Sequence, residues 1–412
     1  MMEESAMPYI YALSDGQTLT IKLCRRIEIA NIDEISREID RILTENTFAS
    51  LVLDAAELEY ISSVGLRKIL EIRKRYENLR IINAPDPVYE TFEITGFTEI
   101  IQVEKAYRNI SIEGCPVIGK GACGTVYKLD DEQIVKVFVP GYDFDKILLE
   151  RDNARKAFTH GIDTAIPFHI VRVGEDYGLI YEIINARTLK NLMEENRNQL
   201  SYYMDIYASY IRHMHETGYL KGEYPDLKIA WTRKIDDLEG IFTDTEKEAV
   251  KKAIMALPDR TTFVHGDINF GNLMIDDTKT VMIDMEDVKL GHPIYDLAFL
   301  YYMLKLMPGI LPEDVYRSMI GFTPEEAEIL WNSFADVYFD THCENERAAV
   351  EEQIHPYGII RLLDGVPACF LSFEAFEEET KARAAAFYEP AAMKYKKEFF
   401  DSLTVGWKPL EF

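Results

Sequence analysis

The chain has 412 residues, a length that suggests two or three domains. Hydrophobic residues make up 47% and charged residues 28%, which excludes a disordered chain and leaves enough apolar material for packed cores. The formal net charge is −26 with no concentrated basic patch, so nucleic acid and anionic membrane surfaces are not expected partners. No apolar run reaches transmembrane length, and the start Met-Met-Glu-Glu-Ser lacks the basic opening of a signal peptide, so a cytoplasmic location is expected. Five cysteines (Cys24, Cys115, Cys123, Cys343, Cys369) are scattered with no Cys-x-x-Cys pair, as expected of reduced thiols rather than disulfides or a zinc site.

Residues 1–108 read as a first domain. Tyr9 to Leu13 and Thr18 to Leu23 are alternating β-prone runs around Ser-Asp-Gly-Gln, a hairpin signal. Ile32, Ile35, Ile39, Ile42 and Leu43 recur at helical spacing, with Asp33 placed to cap the start. Ser50 to Asp54 reads as a buried strand, Ser62 or Ser63 opens a helix through Ile72, and Leu79 to Ile82 is another strand. Pro85 to Ile94 is a short helix stopped by Gly96. Strand alternating with helix predicts an α/β sandwich with a partly parallel sheet.

Leu51-Val-Leu-Asp54, Tyr60-Ile-Ser-Ser-Val-Gly-Leu-Arg67 and Tyr89-Glu-Thr-Phe-Glu-Ile-Thr-Gly-Phe97 resemble a STAS domain, the fold of bacterial anti-sigma factor antagonists, over nearly all of residues 8–106. The resemblance implies a regulatory module with a protein partner. It places Ser63 at the position phosphorylated in that family, although Ser62 stands where the family has Asp. Independently, a helix N-terminus favours an anion at Ser63. The alternative is that Ser62 or Ser63 only caps the helix.

Residues 109–187 read as a nucleotide-binding lobe. Gly119-Lys-Gly121-Ala-Cys-Gly124 is followed by Thr125, Val126 and Tyr127, which are β-prone, so the loop lies between two strands. A dinucleotide fingerprint would open a helix instead. Glycine loops between strands are the kinase type, in which backbone N–H groups cover nucleotide phosphates. Lys136 is then the one cation in the apolar run Gln133-Ile-Val-Lys-Val-Phe-Val. On the kinase reading it binds the phosphates and pairs with an acid on the next helix, Phe144 to Ala157, where Glu150 is the candidate. The alternative is an edge-strand lysine facing solvent. Ala165 to Val173 and Tyr177 to Ile184 are further strands, and the backbone of Glu182 to Ile184 falls where kinases bind adenine between lobes.

Residues 188–412 are predicted to be mainly helical: Tyr203 to Met214, Thr243 to Ala256, Ala298 to Leu306, Pro324 to Tyr338, Glu346 to Leu363 and Phe370 to Phe387. His213 and His215 fall on different helical faces and read as packing or surface residues rather than a metal pair. Glu374 to Glu379 is an acidic cluster suited to a cationic ligand or, more simply, a solvated helix face.

The central stretch is residues 262–287. Asn272 to Ile275 and Thr280 to Ile283 flank a turn at Asp276, Asp277 and Thr278 and read as a hairpin. Asp267 and Asn272 sit near its first strand and Asp284 just after its second, so the three side chains converge if the hairpin forms. Two carboxylates and an amide at one point suit phosphoryl transfer with Mg²⁺. His265-Gly-Asp267, Asn272, Ile283-Asp284 and Pro293-Ile-Tyr-Asp296-Leu-Ala resemble the catalytic stretch of the aminoglycoside phosphotransferase and choline kinase-like family, relatives of the protein kinases. The resemblance implies ATP and Mg²⁺ as cofactors, Asp267 as catalytic base, Asn272 and Asp284 as Mg²⁺ ligands, and His265 and Asp296 as structural support.

Asp284 is followed by Met-Glu, and Asp296 arrives too soon for the activation segment of a protein kinase. The fold class expected is therefore an α/β STAS sandwich followed by an α+β bilobal kinase-like fold with a helical C-lobe. The expected function is an ATP- and Mg²⁺-dependent phosphotransferase acting on a hydroxyl of a small, polar or cationic molecule. A non-catalytic nucleotide-binding anti-sigma factor antagonist is the alternative, and a protein kinase acting on Ser63 is a third reading.

Overall fold

The computed structural model describes residues 9–14, 16–121, 123–219, 221–276, 279–369 and 378–406, with side chains described to 365 and from 378 to 403 in the last two segments. The chain divides into two compact units, the first formed by the residues up to Ser111 with Ile170–Gly174, the second by the remainder.

In the first unit, β1 (Ile10–Ser14) and β2 (Thr18–Ile27) form the expected hairpin. α1 (Ile32–Glu45), β3 (Ser50–Ile61), α2 (Ser63–Arg75), β4 (Leu79–Ala84), α3 (Asp86–Ile94) and β5 (Gln102–Lys105) follow. The sheet order is β1-β2-β3-β4-β5, antiparallel at the hairpin and parallel from β2 to β5. Parallel neighbours need crossovers, and the three helices supply them. α1 buries Ile35, Ile39, Ile42 and Leu43, the apolar stripe seen in the sequence. Asp33 does not cap it: Asn31 is the N-cap, and its amide is engaged by Arg26 and Glu28 of the preceding turn. β3 also outruns the expected strand, because Cys24 to Ile27 continue to pair with Glu57 to Ile61 past a register shift.

Next in the chain come β6 (Val117–Lys120), β7 (Gly124–Lys128), β8 (Gln133–Phe138), α4 (Phe144–Thr159), β9 (Pro167–Val173) and β10 (Asp176–Glu182), in sheet order β6-β7-β8-β10-β9, with Ile170 to Val173 of β9 grouped in the first unit. α4 starts where the Asp143 carboxylate accepts the Asp145 N–H at 3.0 Å. β11 (Arg187–Thr188) leads into a helical lobe of α5 (Leu189–Glu195), α6 (Leu200–Glu216), α7 (Leu227–Asp237) and α8 (Asp244–Met255). Short strands β12 (Thr262–Val264), β13 (Leu273–Ile275), β14 (Thr280–Met282) and β15 (Lys289–Gly291) carry the central stretch. α9 (Ile294–Tyr301), α10 (Glu313–Ile320), α11 (Pro324–Tyr338), α12 (Glu344–Cys369) and α13 (Glu378–Gly406) complete it. Thr243 and Thr323 each make a capping box, with Glu246 and Glu326, which fixes where α8 and α11 begin.

The core of this lobe is strongly aromatic: Tyr207, Trp231, Tyr302, Trp331, Phe334 and Tyr357 are nearly or fully buried. Among the described residues, no helix is long and apolar enough to cross a membrane, and Cys24, Cys115, Cys123 and Cys343 are free thiols. The side chain of Cys369 and the turn residues Asp277 and Thr278 lie outside the described residues. So do residues 370–377, which hold the first part of the helix predicted at Phe370 to Phe387 and the Glu374 to Glu377 part of the acidic cluster.

Candidate active site

β13 and β14 pair antiparallel, Leu273 opposite Met282 and Ile275 opposite Thr280, so the stretch is a hairpin. The Ile283 N–H donates to the Asn272 carbonyl at 2.9 Å, bringing the residue before Asp284 beside Asn272. The Asn272 amide donates to the Asp267 carbonyl at 3.0 Å and to its carboxylate at 3.1 Å. Both donors thus face Asp267, and the amide oxygen is the end left for a cation. Asn269, unremarked in the sequence, gives its own amide to both Asp267 oxygens at 3.0 and 2.9 Å and accepts the Gly271 N–H. Burial pushes the Asp267 carboxyl up, Asn269 pulls it down, and the nearby charge of Asp284 pushes it up again.

The backbone under Asp267 is held from below. Asp296, wholly buried on α9, accepts the His265 N–H and the Gly266 N–H, each at 2.8 Å. His215 of α6 adds an imidazole bond to the same carboxylate at 3.1 Å, and its other nitrogen meets the Tyr338 hydroxyl at 2.7 Å. The reading of His215 as simple packing is therefore incomplete. Its partner lies 81 positions away, and no sequence spacing marks such a pair. Burial opposes ionisation of Asp296, but His215, His265 and the Gly266 N–H hold the carboxyl below its ordinary value. His265 receives the Asp267 N–H at Nδ1 (3.2 Å), so its Nε2 carries the proton and donates to the Ile283 carbonyl at 3.1 Å. His265 therefore ties the loop to Ile283, between the end of β14 and Asp284.

Gly266 is required by geometry twice over. Its φ is 91°, and a Cβ there would stand 2.6 Å from the Asp287 carbonyl oxygen. Asp284 is itself left-handed, at φ 66°, which asparagine and aspartate tolerate better than other residues.

Above this floor, the Lys136 ammonium touches both Glu150 oxygens at 2.9 Å and Asp284 at 3.3 Å. Glu150 is 2% exposed and also accepts a hydrogen bond from the Tyr181 hydroxyl. Burial lowers the Lys136 pKa, but Asp284 and Glu150 outweigh it and hold the ammonium charged. Burial pushes Glu150 the other way, toward neutrality. With two oxygens on one ammonium and a phenol as third donor, the charged pair is the state the geometry favours. The loop 119–124 closes with the Gly121 N–H on the Gly124 carbonyl at 2.9 Å. Of its three glycines, Gly124 is demanded by the chain, since a Cβ would run into the Val137 carbonyl, whereas Gly119 and Gly121 have ordinary contact or open space. Glu182 ends β10 opposite Gln133, and Ile184 follows in the connection to β11.

One acid was missed. Glu286 brings a carboxylate oxygen within 4.8 Å of oxygens of Glu150 and Asp284, the arrangement of a hard-cation site. Its signal was the Asp-x-Glu spacing from Asp284. The donors gathered here, three carboxylates with no sulfur or imidazole among them, fit Mg²⁺.

In the first unit, Ser62 is the N-cap of α2 by backbone position and Ser63 is its first residue. Neither side chain caps the helix, and the Ser62 hydroxyl oxygen is buried without a partner.

The sheet-over-helices unit with its glycine loop and Lys–Glu pair is a bilobal kinase-like fold, preceded by an α/β sandwich of STAS type. A profile of the phosphotransferase enzyme family matches residues 114–328, over half of the chain, and a STAS-domain profile matches residues 9–111. The chain therefore belongs to the phosphotransferase enzyme family and carries an N-terminal STAS domain. Similar solved structures include ADP-bound aminoglycoside phosphotransferase APH(2'')-Ib, at 14% identity and TM-score 0.44 over 69% of this chain and 94% of that one. A putative fructosamine-3-kinase from Haemophilus somnus 129PT is 14% identical at TM-score 0.42, over 69% and 90%. The anti-sigma factor antagonist SpoIIAA in its unphosphorylated form is 14% identical at TM-score 0.21, over 23% and 86%. No functionally curated protein matches the sequence.

Proposed function

We propose that this phosphotransferase moves the γ-phosphoryl group of ATP to a hydroxyl of a small molecule, with Mg²⁺ as cofactor and the STAS domain as a regulatory module. The observation that supports it most is Lys136, seated between Glu150 and Asp284 on β8, in the sheet that carries the glycine loop. Separately, Asp267 is oriented by two amides on a loop braced by Asp296.

On this reading Lys136 engages the α/β-phosphates, and the loop at Gly119, Gly121 and Gly124 covers them with backbone N–H groups. Adenine lies against the backbone of Glu182 to Ile184. Nothing in the chain requires glycine at Gly119 or Gly121, so close approach of a ligand is the remaining reason for them. Asp284 and Asn272 hold Mg²⁺, with Glu286 beside them; the ion, when bound, neutralises charge on the phosphate oxygens. Asp267 orients the substrate hydroxyl and accepts its proton. His265 and Asp296 keep that carboxylate in place. The substrate is a small polar molecule, and the net charge of −26 favours a cationic one. Ser63, exposed at the first turn of α2, is the phosphorylation site of the STAS domain, through which a protein partner binds. The proposed location is the cytoplasm.

The test is ATP consumption by the purified chain over a panel of hydroxylated and amine-bearing compounds. At least one compound should stimulate turnover, and Asp267→Ala should lower it by about 10²- to 10⁴-fold while ATP still binds. Nucleotide binding with no turnover on any compound would instead favour a non-catalytic switch. Incorporation of label into the first domain would favour action on Ser63.

A further inference from the structure

Glu286 is held from the nucleotide-binding lobe by two side chains that no motif reading singled out. Tyr142, in the connection between β8 and α4, donates its hydroxyl to one Glu286 oxygen. Lys146, in the first turn of α4, pairs with the other at 3.0 Å. Tyr142 is firmly placed. The Tyr142 ring stacks on Phe138 with centroids 5.0 Å apart and planes at 22°, and its N–H bonds the Val139 carbonyl at 3.0 Å. The Lys146 ammonium lies 5.7 Å from the Tyr142 ring centroid. Farther along α4, the buried Asn153 amide donates to the Met285 carbonyl at 2.9 Å, pinning the main chain next to Glu286.

We propose that Tyr142 and Lys146 are positioning residues that aim the Glu286 carboxylate at the cation site; the inference rests on the phosphotransferase reading above. The physical need is clear from the neighbours. Glu286 faces the carboxylates of Glu150 and Asp284 with oxygens within 4.8 Å, and like charges at that range drive a free side chain outward. A phenol and an ammonium on its two oxygens oppose that repulsion and fix the rotamer before a ligand arrives.

The experiment is calorimetric titration of the full chain with a non-hydrolysable ATP analogue, with and without Mg²⁺. Tyr142→Phe keeps the ring and removes the hydroxyl, and an unchanged unfolding transition verifies its fold. Its affinity with Mg²⁺ should fall about tenfold, the range of a hydrogen bond to a charged group, while metal-free affinity stays at the wild-type value. Lys146→Met, at a side chain 54% exposed, should lose about two- to fivefold, and less in high salt. Glu286→Gln should show the same Mg²⁺-specific loss, and Tyr142→Phe/Glu286→Gln should be no weaker than Glu286→Gln alone. Additive losses, a loss equal with and without Mg²⁺, or tighter Mg²⁺-dependent binding in Tyr142→Phe would each overturn the positioning role while leaving the phosphotransferase reading intact. A wild-type chain that binds no nucleotide in either buffer would overturn both.

Discussion

Two regions of this protein were expected to meet a phosphate, and they are built differently. At α2, Ser62 and Ser63 rely on a local device, a helix N-terminus with no acidic residue and no side-chain cap in its first turn. At the cleft, Lys136, Glu150, Tyr181 and Asp284 come from separate elements, with Lys136 and Asp284 148 positions apart. In the cleft the polar atoms that define the site are bonded to one another, whereas the Ser62 hydroxyl is buried with no partner. The lesson is one of magnitude. A helix terminus contributes about 0.3–1 kcal/mol to an anion. Breaking a buried ion pair by removing one member costs about 3–5 kcal/mol. Charge chemistry belongs where the fold has assembled several charges.

The sharpest way to break this contrast is to remove the brace. Asp296→Ala should destabilise the second unit by about 3–5 kcal/mol, since it strands His215 and two buried N–H groups. Denaturant unfolding at neutral pH would measure it. The sign with pH follows from the depressed folded pKa. The contribution is full above the ordinary value of 3.8 and is lost as pH falls through the lower folded value. The gap between wild type and variant should therefore close in acid and stay constant toward alkaline pH.

Next in size, Lys136→Met leaves Glu150 buried without its ammonium. Loss of about 3 kcal/mol of stability is expected, partly relieved by protonation of the acid, together with loss of nucleotide affinity by titration. Gly266→Ala places a Cβ 2.6 Å from the Asp287 carbonyl at φ 91°, and should cost about 1–3 kcal/mol and slow turnover through a shifted Asp267.

The smallest effect has the most telling sign. Replacing a capping serine by alanine normally costs about 0.5–2 kcal/mol. Ser62→Ala removes an unpartnered buried hydroxyl, so it should be neutral or stabilising by up to about 1 kcal/mol in thermal unfolding of the first unit. A loss of the usual size would mean that Ser62 caps α2 after all, and the two regions would be less unlike than the contrast above holds.

Much of the central stretch was legible because its signals are short in range. The hairpin at residues 272–283 follows from two β-prone runs and a turn, and Asp267, Asn272 and Asp284 lie at its ends whatever surrounds it. The glycine loop was distinguishable from a dinucleotide fold by the β-prone residues after Gly124. What escaped were mostly partners supplied across the fold. His215, Tyr181 and Tyr142 meet residues far along the chain and are unremarkable polar residues when read in order, while Asn269 and Glu286 lie only two positions from Asp267 and Asp284 and were overlooked.

The sequence by itself determined the alternation of strands and helices in the first unit, the presence of a glycine loop before a lone apolar-strand lysine, and the acids flanking a hairpin, because periodicity and turn chemistry act over a few residues. Only the tertiary structure decided that Lys136 lies between Glu150 and Asp284, that Asp296 carries the backbone beneath Asp267, and that Tyr142 and Lys146 reach Glu286. Those pairings depend on which side chains are buried together, where a low local dielectric and lost water make each missing partner costly, and burial is a property of the packed chain rather than of any segment of it.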